Sequence, residues 1–155
     1  MSLLQKHLFT VEEFHAMPEV FNEDDRVELI EGEIIEMAAI GNRHMFFVNQ
    51  LNDILVPQVG SLATISVQNP IRLGELSELQ PDLVVLSGRP RDYRNKSATV
   101  SNILLLIELE HQVVEVYRDP KTTGYAQLTT ANVTDKLSPQ SLTTIKVDLS
   151  ELFID

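Results

Sequence analysis

The chain is 155 residues long, 43% hydrophobic and free of cysteine, and 12 basic residues against 23 acidic ones leave a net charge of −11. That length supports one domain, residues 1–155, with a real core; lack of cysteine excludes disulfides, thiolate nucleophiles and zinc–thiolate centres, and the charge argues against a constitutive, metal-free polyanion binder. No segment has the apolar length of a membrane span, and residues 1–7 lack the apolar core and cleavage site of a signal peptide, so a cytoplasmic protein is expected.

Phe9 to Pro18 opens with a helix-start pattern: Thr10 can cap the first turn and Glu13 stands three positions on, as in a capping box. A short helix packing Val11 and Phe14 inward and ending near Pro18 is expected. Arg26 to Met37 then alternates polar and apolar residues on both sides of Glu31-Gly32, which predicts a hairpin. Glu28, Glu33 and Glu36 read there as solvent-facing edge charges.

From Asn42 to Val59 the period lengthens. His44, Phe47, Val48, Leu51, Leu55 and Val59 fall at three- and four-residue steps, giving an amphipathic helix able to cover one face of a sheet, with Pro57 expected to kink or end it. His44 lies in the first turn, within reach of the sheet rim; it is either a satisfied structural histidine or a functional one. Thr64 to Leu73 reads as a strand broken at Asn69-Pro70.

Leu79 to Leu86 and Asn102 to Glu108 are short runs rich in Val, Ile and Leu, bounded by Pro, Gly, Ser or charge, so both read as buried strands. Each carries a carboxylate at one edge, Asp82 opening the first and Glu108 closing the second. If the strands pair, the two can converge into a seat of hard oxygen ligands for Mg²⁺. The bland alternative is a turn residue after Pro81 and a strand end. Between the runs, Arg89, Arg91, Arg94 and Lys96 with Tyr93 form a basic loop, either a solvated connector or a flexible arm that meets phosphate.

Beyond Glu108, Gln112 to Arg118 reads as a strand, Asp119 to Lys121 as a turn, Tyr125 to Leu128 and Thr144 to Leu149 as further strands, and Leu152-Phe153 as a terminal turn. The count predicts an α+β (mixed α/β) fold, one sheet flanked by helix. Phosphate loops, dinucleotide fingerprints, paired-His zinc motifs and Gly-x-Ser-x-Gly elbows are absent, which excludes the chemistry they serve.

The order of Val27-Glu28-Leu29-Ile30-Glu31-Gly32-Glu33, Arg43-His44, Gln80-Pro81-Asp82-Leu83-Val84, Leu106-Ile107-Glu108 and Val113 to Arg118 resembles the Uma-two family, classed with the endonucleases of the restriction endonuclease-like, PD-(D/E)xK superfamily. The resemblance runs from about Phe9 to Phe153. It implies a mixed β-sheet flanked by helices, with a Mg²⁺- or Mn²⁺-dependent, DNA-cleaving site at its rim. Asp82 and Glu108 would be metal ligands, completed by Glu31 or else Glu28 or Glu33, with His44 and Gln80 in supporting roles. One departure stands out: Glu108 runs almost directly into Leu109-Glu110-His111-Gln112, so the family's next helix and strand, and its catalytic-type lysine, are missing. Two readings follow. One is an endonuclease that meets DNA through the Arg89–Lys96 loop; the other is a non-catalytic interaction module on the same scaffold. The shortened sheet would expose apolar side chains, so a homodimer is expected.

Overall fold

Strands form where β-branched and leucine side chains can be buried on both faces of the pleat, and Leu83–Leu86 and Ile103–Glu110 meet that condition. The computed structural model describes residues 4–17, 20–21, 24–110, 113–121, 124–131, 135–139 and 141–152, those of 110–131 by backbone course. In chain order the elements are α1 (Val11–His15), β1 (Val27–Ile30), β2 (Glu33–Glu36), α2 (Asn42–Val59), β3 (Thr64–Val67), β4 (Ile71–Arg72) and β5 (Glu78–Leu79). They continue as β6 (Leu83–Leu86), β7 (Ile103–Glu110), β8 (Val113–Lys121), β9 (Gly124–Ala131), β10 (Lys136–Leu137), β11 (Val147–Asp148) and α3 (Leu149–Leu152).

The fold is α+β, with antiparallel sheets flanked by helices. The described strands divide among three sheets rather than one: a five-stranded sheet ordered β3-β6-β7-β8-β9, a four-stranded sheet ordered β2-β1-β5-β4, and a β10-β11 pair. Two proline breaks explain the division. Asn69-Pro70 turns the chain out of β3 into β4, and Gln80-Pro81-Asp82 carries it from β5 back into β6.

Alternation along β6 and β7 builds two cores. Leu83, Val85, Leu105, Ile107 and Leu109 pack beneath α2, whose Val48, Leu51, Leu55 and Val59 supply the covering stripe. Val84, Leu86, Ile103 and Leu106 face the other way, against Ile71, Leu73 and Ala98. A bulge between Val85 and Leu86 lets β7 spend an extra residue, Leu104, without losing the ladder. Each fully buried Leu or Ile here contributes about 1.5–3 kcal/mol.

Several expectations change. Pro57 lies inside α2, which runs on to Val59 and stops at Gly60 (φ +48°). So close to the end, its kink has no further turns to misdirect. Asp119 to Lys121 is strand, because the ladder holds Pro120 opposite Tyr125 and Lys121 opposite Gly124. Thr144 to Leu149 shrinks to β11, with Leu149 already opening α3. Gln112 and Phe153 lie outside the described residues, as do the side chains of the apolar face expected beyond Glu108.

The hairpin is as expected and tighter. Glu31 (φ +50°) and Gly32 (φ +81°) form a two-residue turn between paired Ile30 and Glu33, both central residues left-handed as in a type I′ connection. A Cβ at Gly32 would meet Leu8 Cβ at 2.7 Å, so glycine is required by space as well as by φ. The capping box on α1 forms, Thr10 Oγ1 accepting from Glu13 N and Glu13 Oε2 from Thr10 N.

Candidate functional site

β6 and β7 pair with Leu83 opposite Ile107 and Val84 opposite Leu106. Continuing that register by one step sets Asp82 opposite Glu108. Asp82 N donates to Glu108 Oε2 at 3.4 Å, a long contact that still joins the two. Asp82 is buried and both its oxygens are engaged: Oδ2 accepts from Leu109 N at 2.7 Å, and Oδ1 lies 2.7 Å from His44 Nε2. An ionised carboxylate only accepts, so the imidazole nitrogen donates. His44 reaches this point because it continues the stripe of Val48, Leu51 and Leu55 one turn toward the start of α2.

A third carboxylate arrives from the hairpin. Glu28 is buried, and its Oε1 accepts from Gln80 N at 2.8 Å. The crossover Gln80-Pro81-Asp82 is thus gripped at both available amides, by Glu28 before the proline and by Glu108 after it. Pro81 has no amide hydrogen to leave unpaired between them.

The electrostatic cost falls on Glu108. Burial, the Asp82 charge and the Glu28 charge, in that order, push its carboxyl up to about 9. Carboxylates crowded out of water in this way are stabilised either by a proton or by a cation. Among the described residues no group of three or more His, Cys, Asp or Glu side chains is already arranged to hold a metal ion. The donor set nevertheless fits a hard divalent cation in kind: all-oxygen, anionic, and bearing on Glu108 a proton that a cation would displace.

Asp82, Glu108 and His44 are therefore brought together, and Gln80 joins them through its backbone. Glu31 is not among them. It occupies the turn, exposed, its N–H donating to Ser77 Oγ at 2.9 Å, while Glu33 pairs with Lys6 Nζ at 2.9 Å. Glu28 looked solvent-facing beside inward Val27 and Leu29, yet it is covered by the crossover that leaves β5. That cover depends on the β1–β5 pairing of Leu29 with Glu78, which local alternation does not encode.

The basic loop is folded rather than a flexible arm. Pro90–Tyr93 is a 3₁₀ turn, Asp92 Oδ2 accepts from Arg89 N at 2.7 Å, and Tyr93 OH donates to Ser87 O. Arg89 is spent on the scaffold, donating to Gly60 O at 2.9 Å.

Comparisons with known proteins agree with this architecture. A family model described as "Uma2: Putative restriction endonuclease" matches residues 11–110. A crystal structure of "a putative nuclease belonging to DUF820" from Anabaena variabilis shares the fold, with a TM-score of 0.66, 16% identity, and coverage of 94% of this chain and 97% of that one. No curated protein matches.

Proposed function

The chain belongs to the Uma2 family, described as restriction endonucleases, and on that premise we propose that it cleaves phosphodiester bonds of DNA with Mg²⁺ or Mn²⁺ held by Asp82, Glu108 and Glu28. The observation that carries the reading is the convergence of Asp82, Glu108 and Glu28 on the Gln80-Pro81-Asp82 crossover, with the Glu108 carboxyl pressed between burial and two neighbouring carboxylates. A bound cation would offset that repulsion, and it would supply charge stabilisation at the phosphate and a lowered pKa for water. His44 acts as a positioning residue: its hydrogen bond to Asp82 Oδ1 fixes which way the carboxylate presents itself. Glu28 and Glu108 hold the crossover rigid by binding the Gln80 and Asp82 amides, so the acid that opens β6 is preorganised.

A second reading has its own support. Glu108 is followed by Leu109-Glu110-His111-Gln112, with no lysine to orient water or stabilise developing charge. On that reading the scaffold binds a cation and a partner without turnover. Nicking of supercoiled plasmid in Mn²⁺ separates the two. Cleavage that Glu108→Ala abolishes is expected for the enzyme; intact plasmid under all conditions would leave only the module.

A further inference from the structure

Along β3, on the sheet face that carries Val84 and Leu86, lies a groove of about 590 Å³ between that strand and the 90–98 segment. Ser66, Asn69, Tyr93, Arg94, Asn95 and Lys96 are among its lining residues; none of the thirteen is acidic, in a chain carrying 23 acids. Leu86, Ala98 and Tyr93 belong to, or pack on, the same apolar cluster as Leu106 and Val84, so the groove lies on that face of the five-stranded sheet.

The cations of this segment differ from most of the described ones. Lys6, Arg72 and Lys136 pair with Glu33, Glu12 and Asp148, Arg89 is bound to a carbonyl, and Arg43 stands over the Phe47 ring. Arg91, Arg94 and Lys96 are exposed and have no acidic partner among the described residues. The nearest carboxylate in sequence, Asp92, is turned back onto Arg89 N. In a protein of net charge −11 such a cluster departs from the surrounding field, and its groove offers hydroxyls and amides beside the charge. That combination recognises sugar–phosphate, not base edges.

We propose that this groove binds the phosphate backbone of the DNA whose scissile bond lies at the acidic site. The assignment rests on the nuclease reading. The groove runs beside β3 from Thr64, which pairs with Leu86, to Asn69 and Pro70, next to Gln68, whose N–H donates to Asp82 O at 3.2 Å. The groove is therefore a clamp that extends to the neighbourhood of the acidic site, its cations countering a site that by itself repels phosphate.

The test is fluorescence anisotropy with a labelled 20-base-pair duplex in Ca²⁺ across a salt series, run beside plasmid nicking in Mn²⁺. For Arg94→Ala/Lys96→Ala, affinity is expected to fall about tenfold or more and the log–log salt slope to shrink by about 2, one unit for each lost phosphate contact. Lys146→Ala, an exposed lysine outside the groove, is expected to leave both unchanged. Equal affinity and slope in the double variant and the wild type, or no duplex binding by the wild type, would overturn the clamp. Failure of nicking with binding intact and sensitive to Arg94 and Lys96 would instead overturn the nuclease reading alone.

Discussion

His44 Nε2 lies 2.7 Å from Asp82 Oδ1, and this one contact ties the first turn of α2 to the residue that opens β6. Removing the imidazole leaves a buried carboxylate oxygen without its donor. His44→Ala is therefore expected to lower stability by about 1–3 kcal/mol. Urea denaturation should show a reduced midpoint with an unchanged slope, because the surface exposed on unfolding stays the same. An unaltered midpoint would remove the contact from any structural role.

Glu108 gives the apoprotein a pH signature. Its carboxyl, raised to about 9 in the folded chain, returns to an ordinary value near 4.5 when unfolded. Between those values the native state binds more protons than the unfolded state, so unfolding free energy falls as pH rises. In EDTA, stability measured from pH 5 to 9 should decline. Glu108→Gln, which cannot ionise, should flatten the decline, and saturating Mn²⁺ should reverse it by displacing the proton.

The identity of the third acid separates Glu28 from Glu31. Glu28→Gln keeps an oxygen for the Gln80 amide and should fold with stability changed by less than about 1 kcal/mol, while weakening Mn²⁺ binding. Glu31→Gln, altered in an exposed turn, should leave both fold and cation affinity as they were. Equal loss of affinity in the two would break the assignment of Glu28.

Gly32 tests the hairpin that delivers Glu28. Gly32→Ala meets both a left-handed φ and a 2.7 Å approach to Leu8 Cβ. The expected cost is about 1–3 kcal/mol, read as a lowered melting temperature. If melting is unchanged, the turn is not the constraint described.

Much of this was readable from residue order, and the exceptions share a cause. Short buried runs and their flanking acids fixed β6 and β7, and a three-and-four spacing marked α2 together with the position of His44. Local patterns carry such information because each depends on one element's own periodicity. Two-residue strands such as β4 and β5 have no periodicity to read and exist through their partners. Glu28 belongs with them: its burial comes from a crossover fifty residues later. The loop's cations were visible, but not that Arg89 would be consumed by Gly60 O while Arg94 and Lys96 stayed available.

The central claim is that Asp82 and Glu108 share one cation. Calorimetric titration of Mn²⁺ into the metal-free protein, compared with Glu108→Gln and Asp82→Asn, tests it most directly. Glu108→Gln removes a disfavoured charge, so it should fold at least as well as the wild type and isolates binding from stability. The account predicts saturable binding to the wild type, weakened about tenfold or more in either variant, a loss of roughly 1.4 kcal/mol or greater. Titrations that superimpose for all three proteins would contradict it.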